Sequence, residues 1–394
     1  MPDAPPPALL RWWLRLPGPV LGLMSGDEPA ELGGRRLDPR FRFLAHASRN
    51  RPPLSELPLE RARAAVASGA RLGGQPPEPG VSWEEVEVPG GAGVRPARAY
   101  RPRRLDPQAP VMLWLHGGGG VFGDLETSHG FCTVLASALQ APVLSLDYRL
   151  APEHPFPAGL DDALSAFRWA REHAGRLGGA PGRAAVGGDS AGGWMAALLC
   201  LRLRDAGEAQ PDLQLLVYPA VDMASRTQSL QIYADAFPLP RAMMDWCRER
   251  LFAPGADLAD PAVSPLHAEA LEALAPAVVV TAGFDPLVDQ GEAYAHRLVT
   301  AADAALYRCY DALPHGFLNF AGLVPAADVA AREIAGLARQ GCEGLLPVSS
   351  HALAAHAAPE AQPAPTASAT ERKPSAWRRW RKSRLSRGTS PGPA

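Results

Sequence analysis

Two glycine-rich segments contain residue types that could do chemistry together: His116–Gly119 has the sequence HGGG, and Gly188–Gly192 has the sequence GDSAG. The G-x-S-x-G pattern is typical of a nucleophilic serine on a sharp turn between a strand and a helix. The HGGG pattern is typical of a loop whose backbone N–H groups bind a negatively charged oxygen. In this order along the chain, the two segments predict that Ser190 attacks an acyl carbonyl.

The residues around the two segments predict the backbone that such chemistry needs. Apolar runs precede the segments, over Val111–Leu115 and over Arg183–Gly187, and each has the character of a buried strand. The apolar run Ala191–Leu203 follows Ser190 directly and has the character of a buried helix. Ser190 is therefore expected on a strand–turn–helix, the context that this type of nucleophile requires.

A serine hydroxyl is a poor nucleophile and needs an adjacent base, which is most often histidine. The candidate histidines after Ser190 are His267, His296 and His315, with His351 at the start of the C-terminal tail. His315 lies in a loop after a short strand-like run, Ala305–Tyr310, and is the predicted base. His296 lies in an alanine-rich helical stretch and His267 lies in a loop, so both are interpreted as ordinary surface residues.

The acid that orients the base is expected between the serine and the histidine in chain order. Ala277–Phe284 has the pattern of a buried strand, and Asp285 follows its carboxyl end, where parallel sheets place functional groups. Asp285 is the predicted acid, and capping of the next helix is the structural alternative for it. Asp289, four residues later, is the rival candidate for the acid.

The motifs resemble those of one enzyme family. They are HGGGGVFG at His116–Gly123, DYRLAPEHPFPA at Asp147–Ala158, GDSAGG at Gly188–Gly193, YPAVD at Tyr218–Asp222, DPL at Asp285–Leu287 and HGF at His315–Phe317. Over roughly residues 80–345 the chain resembles the hormone-sensitive-lipase-like (family IV) carboxylesterases of the α/β-hydrolase superfamily. The resemblance implies a serine esterase that requires no metal and no organic cofactor.

The catalytic residues that this resemblance implies are those chosen above. The oxyanion donors that it implies are the backbone N–H groups of Gly117, Gly118 and Ala191. The chain departs from the family at Val288 and Gln290, where a charged residue and Glu are common. This departure touches a supporting position and leaves the catalytic residues intact.

Four further residues are interpreted as supporting the site. His116 is expected to orient the HGGG loop rather than to carry a proton. Gly119 and Asp189 belong to the two motifs themselves. Glu153 is expected to pair with Arg149 near the active-site turn.

The remaining pattern predicts the fold class and the domains. Strand-like runs alternate with helical stretches, which predicts an α/β-hydrolase fold with a mostly parallel central sheet and helices on both faces. Val81–Val88 and Val94–Tyr100 are expected to be the first, antiparallel strands. The predicted domains are an N-terminal helical cap over residues 1–75, a catalytic domain over residues 76–345 with a cap insertion at about 222–265, and a disordered basic tail over residues 346–394.

Two terminal segments raise the question of other partners. Trp12 and Trp13 leave open that the N-terminal stretch is an interfacial membrane anchor instead of a cap. The segment Glu371–Ala394 holds eight Lys or Arg and one Glu, a charge of +7 in a chain whose net charge is −2. Weak contact with an anionic membrane is one hypothesis for this tail, and a solvated tail without a partner is the other. Nucleic-acid binding is disfavoured because no ordered nucleic-acid-binding fold stands behind the charges.

Composition bears on the compartment and the substrate. The five cysteines show no metal-ligand spacing and several lie in apolar runs, which predicts buried free thiols and a cytoplasmic location. A homodimer is kept as a hypothesis. The expected substrate is a small-molecule acyl ester of short or medium chain, because a capped pocket has finite depth. An amide or carbamate hydrolase with the same triad, and a non-catalytic receptor on the same scaffold, are the alternatives.

Overall fold

One central sheet positions the predicted catalytic residues. The computed structural model describes residues 7–301 and 304–346. Within them the sheet consists of β1 (Val81–Gly90), β2 (Gly93–Pro102), β3 (Val111–Leu115), β4 (Val143–Leu146), β5 (Ala184–Asp189), β6 (Gln214–Val217), β7 (Ala277–Phe284) and β8 (Ala305–Pro314). Their order across the sheet is β8-β7-β6-β5-β3-β4-β2-β1.

The sheet is parallel from β3 to β8 and antiparallel only at one edge. β2 pairs in the antiparallel direction with both β1 and β4, and the other neighbouring strands pair in parallel. Every residue of β3 and β5 is buried, as parallel strands covered on both faces must be. The predicted α/β-hydrolase fold and the antiparallel start of the sheet are confirmed.

Helices cover both faces of the sheet. The helices of the described residues are α1 (Pro7–Trp13), α2 (Gly18–Met24), α3 (Pro39–Ser48), α4 (Leu59–Gly73), α5 (His129–Leu139), α6 (Ala158–Glu172), α7 (Ala174–Leu177), α8 (Ala191–Asp205), α9 (Ser229–Ile232), α10 (Arg241–Leu251), α11 (Val288–Ala301) and α12 (Pro325–Cys342). Neighbouring side chains of β3 point to opposite faces. Leu113 belongs to the buried cluster that contains α6, α8 and α11, whereas Trp114 belongs to the cluster that contains α5 and α12.

Two helical segments lie outside this layered core. In the first, α1 and α2 pack on α3, and the ring of Trp13 meets that of Phe43 edge-on at 5.9 Å. Trp12 remains 58% exposed. The carboxyl end of α4 is tied to the loop after His315, because the N–H of Gly322 donates to the carbonyl of Gly73 at 2.8 Å. The second segment, α9 and α10, lies between β6 and β7.

Three expectations concern the ends of the chain and its cysteines. The basic tail and any membrane contact that it makes lie outside the described residues, since residues 347–394 are not among them. Within the described part, no helix is both long and apolar enough to cross a bilayer. All five cysteines are buried free thiols, as predicted.

Candidate active site

Ser190 lies at the tip of a strained turn between β5 and α8. Its backbone has φ of 54° and ψ of −115°, a conformation that residues with a side chain rarely adopt. Its N–H donates to the carbonyl of Val217 on β6 at 2.9 Å, which ties the turn to the sheet. A Cβ at Gly192 would collide with the carbonyl of Leu115, so α8 can begin this close to β3 only with glycine there.

His315 connects Ser190 to Asp285 through its two ring nitrogens. Nε2 is 2.9 Å from Ser190 Oγ, and Nδ1 is 2.7 Å from Asp285 Oδ2. A carboxylate can only accept a hydrogen bond, so Nδ1 donates to Asp285 and Nε2 is left to accept the serine proton. The imidazole packs against the ring of Tyr218, at 4.9 Å between centroids. The three residues chosen from the sequence therefore lie in one hydrogen-bonded chain.

The two candidate acids have different surroundings. Asp285 follows β7, is buried, and accepts the N–H of Leu287 at 2.8 Å through its second oxygen. Asp289 instead accepts the N–H of Ser229 at 2.8 Å and makes no hydrogen bond to His315 in the described residues. Asp289 thus anchors the segment before α9, and Asp285 is the carboxylate beside the base.

The other two histidines lie away from Ser190. His296 is half exposed and 3.8 Å from Glu292, one turn earlier in α11. His267 Nε2 donates a hydrogen bond to Asp222 Oδ1 at 3.0 Å, and the His267 side chain is 39% exposed. Neither contacts Ser190, in agreement with their interpretation as surface residues.

The HGGG loop differs in one respect from the expectation. The N–H of Gly117 donates to Asp189 Oδ1 at 2.9 Å, so this N–H already has an acceptor inside the protein. Among the described residues, no protein acceptor takes the N–H groups of Gly118, Gly119 or Ala191. The assignment of Gly117 as an oxyanion donor is therefore wrong for this arrangement, and Gly119, expected only in support, presents a free N–H instead.

A tight turn shapes this loop. Gly118 has φ of 120°, which glycine adopts without strain. The carbonyl of Gly118 accepts the N–H groups of Val121 at 3.1 Å and Phe122 at 2.9 Å. These bonds close the turn, and the N–H groups of Gly118 and Gly119 take no part in them.

His116 contacts the HGGG loop and Tyr148 through its ring. Its Nδ1 donates to the carbonyl of Gly117 at 2.8 Å, and its ring stacks on Tyr148 at 4.3 Å between centroids. The Tyr148 hydroxyl in turn donates to the carbonyl of His116 at 2.7 Å. Burial lowers the pKa of His116, which favours the neutral imidazole. Tyr148 is a structural partner that the sequence pattern alone did not reveal.

Asp189 couples the serine turn to the HGGG loop. It is buried, and burial raises the pKa of its carboxyl to about 6, although the hydrogen bond from Gly117 opposes the shift. The residue before Ser190 therefore has a raised pKa while it holds the start of the loop.

The expected pair of Arg149 and Glu153 does not form. Arg149 instead forms a two-pronged ion pair with Asp162 of α6, whose carboxylate is fully buried, with contacts of 2.9 Å. Glu153 pairs with Arg63 of α4, with both contacts at 2.8 Å. Both partners, Asp162 and Arg63, lie on helices outside the motif, so the nearness of Arg149 and Glu153 in the motif could not indicate them.

A cavity of about 340 Å³ opens onto Ser190 and His315. Its walls are mainly apolar, and most of the lining comes from α4 with Leu54, from the HGGG loop and from the segment that carries α9 and α10, with further residues from α8 and from the loops after β7 and β8. The apolar wall residues of the segment with α9 and α10 include Met223, Leu230, Leu239, Met243, Met244 and Leu251. The volume lies at the small end of the range for pockets that bind small molecules.

Comparison with known proteins identifies the family. Residues 112–319 match the family model for the α/β-hydrolase fold. The chain is 39% identical over 315 residues to the carboxylic ester hydrolase LipN of Mycobacterium tuberculosis, covering 77% of this chain and 83% of that protein. It is 36% identical over 280 residues to the ethyl acetate hydrolase of Pseudomonas putida, covering 70% and 88%.

Solved structures give the same result. An ester hydrolase from the metagenome of Lake Arreo superposes with a TM-score of 0.73 at 39% identity, covering 77% of this chain and 96% of that one. The esterase of the archaeon Pyrobaculum calidifontis superposes with a TM-score of 0.70 at 35% identity, covering 76% and 96%. The chain belongs to the α/β-hydrolase family. Within it the chain is a hormone-sensitive-lipase-like enzyme of the carboxylic ester hydrolase class, as the motifs implied.

The different contacts of Asp285 and Asp289 can be tested by replacing each carboxylate. Asp285→Asn should leave the protein folded and lower kcat by roughly 10⁴-fold, because the amide no longer holds the imidazole in the tautomer that accepts the serine proton. Asp289→Asn should cost much less, since Asp289 contacts Ser229 rather than His315. Measurement of kcat for both variants, with circular dichroism to establish folding, makes the comparison. The reverse ranking would move the acid to Asp289.

The burial of Asp189 predicts a pH dependence of stability. Between the ordinary pKa of 3.8 and the raised value of about 6, the folded state holds a proton that the unfolded state has released. This residue therefore makes the free energy of unfolding fall as pH rises through that window. Asp189→Asn removes the titration while keeping an acceptor for Gly117, so its Tm relative to the parent should increase from about pH 4 to about pH 7. A Tm difference that stays constant with pH would contradict this account.

Proposed function

We propose that the protein is a serine carboxylesterase that hydrolyses short- to medium-chain acyl esters through an acyl-enzyme on Ser190. The observation that carries this proposal is the hydrogen-bonded chain of Ser190, His315 and Asp285, with contacts of 2.9 and 2.7 Å, at the wall of the cavity. The free N–H groups of Gly118, Gly119 and Ala191 complete the arrangement as the oxyanion donors.

The reaction follows from this geometry. Ser190 Oγ attacks the ester carbonyl while His315 Nε2 takes the hydroxyl proton, and the carbonyl oxygen becomes an oxyanion held by the free N–H groups. Asp285 stabilises the imidazolium that forms. His315 then donates the proton to the leaving alcohol, which leaves the acyl group on Ser190. A water molecule, whose proton His315 takes, then attacks the acyl group on Ser190, and this step releases the carboxylic acid and restores the serine.

A triad of this kind can also serve an amide or carbamate hydrolase, but no contact in the described residues favours those substrates over esters. The receptor alternative is disfavoured because a ligand-binding role needs no intact triad. The cytoplasmic location, the homodimer and the membrane contact of the tail stay predictions.

Replacement of the nucleophile tests the mechanism. Ser190→Ala should abolish turnover and leave the fold intact, because the members of a catalytic triad act as a unit. His315→Ala should behave in the same way. In the parent protein, an organophosphate should label Ser190 alone. His296→Ala is the matched control and should be nearly silent, since His296 lies on the surface of α11. A Ser190→Ala variant with activity within about tenfold of the parent would refute the assignment.

Gly69 allows a test of the cavity as the substrate site. It lies inside α4 and lines the cavity, and a Cβ placed there would meet no atom within 4 Å. Glycine inside a helix costs about 0.5–1 kcal/mol relative to alanine, and no close contact in the described residues requires it. The missing side chain therefore leaves space for the substrate.

We expect the parent to hydrolyse p-nitrophenyl esters of short and medium chain and to lose activity at long chain. Gly69→Leu should lower kcat/KM for medium chains relative to acetate by about tenfold, the discrimination that a hydrophobic pocket gives per blocked methylene. Gly336→Leu is the control, because Gly336 lies in α12 with equally open surroundings and does not line the cavity. Equal or better activity on emulsified long-chain triglyceride would favour a true lipase instead.

A further inference from the structure

Arg63 of α4 reaches the loops beside Ser190 from the N-terminal cap. Its Nε donates to the carbonyl of Val121 and one terminal nitrogen donates to the carbonyl of Ala151, both at 3.0 Å. The two terminal nitrogens also bind the carboxylate of Glu153 at 2.8 Å each. One guanidinium thus joins a cap helix to two loops of the catalytic domain.

Both carbonyls belong to residues that shape the oxyanion loop. The N–H of Val121 donates to the carbonyl of Gly118 and so closes the turn that presents the free N–H groups. The N–H of Ala151 donates to the carbonyl of Gly120 at 2.9 Å. Arg63 therefore binds the carbonyls of Val121 and Ala151, and the N–H groups of these two residues bind the carbonyls of Gly118 and Gly120.

The chemistry of this contact is specific to arginine. The planar guanidinium offers donors on separate edges, so one edge can bind a carboxylate while others bind carbonyls. The Arg63 side chain is only 22% exposed, and the Arg63 guanidinium lowers the pKa of Glu153 to about 2. A lysine ammonium could pair with Glu153 but could not span the same two carbonyls. Arg63 does not line the cavity, so it cannot act by touching substrate.

We propose that Arg63 is a positioning residue for the oxyanion hole, so that the N-terminal cap takes part in catalysis by holding the Gly118–Gly120 turn in place. The proposal rests on the esterase function proposed above. Because the oxyanion develops only during the reaction, a displaced turn should weaken transition-state binding more than substrate binding.

A second contact limits how far kcat should fall when Arg63 is replaced. The ring of Phe122 stacks on Trp246 of α10 at 5.4 Å between centroids and 4° between planes, and it continues to support the loop when Arg63 is removed. Complete loss of one oxyanion donor lowers kcat by about 10²–10³-fold. Arg63→Ala should therefore lower kcat by about 10–100-fold, with KM changed by less than about threefold.

The experiment compares Arg63→Ala, Arg63→Lys and Arg61→Ala in the full chain with p-nitrophenyl butyrate. Arg61→Ala is the control, because Arg61 is an exposed residue of the same helix and should leave kcat, KM and Tm unchanged. Arg63→Lys should recover Tm by pairing with Glu153 while kcat stays low, which separates positioning of the loop from attachment of the cap. Should Arg63→Ala fail to fold, Arg63→Lys carries the comparison alone.

Hydrogen–deuterium exchange of the peptide that spans residues 117–122 gives a readout independent of activity. Its amides should exchange faster in the Arg63 variants than in the parent and in Arg61→Ala. Unchanged exchange with kcat within about twofold of the parent, or a raised KM with unchanged kcat, would overturn the proposal. An inactive parent whose Ser190 resists an organophosphate would refute the esterase function, whereas the exchange comparison would still decide the role of Arg63.

Discussion

The backbone conformation of Ser190 is the constraint on which the site depends. A positive φ at a residue with a side chain is unfavourable and persists only where the surrounding structure enforces it. Here two contacts hold the conformation in place. The N–H of Ser190 donates to the carbonyl of Val217 on β6, and the start of α8 packs against β3. The cost of the strained turn is offset by the buried contacts of β5 and α8. The serine hydroxyl is thereby presented at the carboxyl edge of the sheet, where the loops after β7 and β8 bring the acid and the base.

The same turn determines what Asp189 does. Because Asp189 precedes the nucleophile on a strand, its side chain points away from the hydroxyl and into the protein, where it meets the N–H of Gly117. Burial of a carboxyl is unfavourable without a partner, and that N–H is the partner. The contact links the serine turn to the HGGG loop, so the proposed nucleophile and the proposed oxyanion donors are positioned by neighbouring residues. It also occupies the N–H of Gly117, which is therefore not free to bind an oxyanion.

Local pattern and chain order were enough to select Ser190, Asp285 and His315, which the structure joins by hydrogen bonds. The bounds of β3 and the positions of Ser190, Asp285 and His315 follow from short apolar runs and the residues that end them. The run Arg183–Gly187 ends two residues before β5 does, since Gly188 and Asp189 lack the apolar character of a strand, although Gly188 packs closely against neighbouring backbone. Long-range ion pairs were not predictable. The partner of Glu153 lies 90 residues away on α4, and nothing in either local sequence indicates the other.

The segment after β7 contacts both His315 and the segment that forms part of the cavity wall. Asp285 holds the base, whereas Asp289 binds the N–H of Ser229 and Gln290 Oε1 accepts the N–H of Asp222 at 2.8 Å. The last two contacts attach the segment that carries α9 and α10 to the catalytic domain. Gln290 is 1% exposed, and an amide oxygen accepts this N–H as a carboxylate would without burying a charge. The departure from the family's Glu is thus compatible with the same attachment, and it leaves Asp285 as the carboxylate that contacts the base.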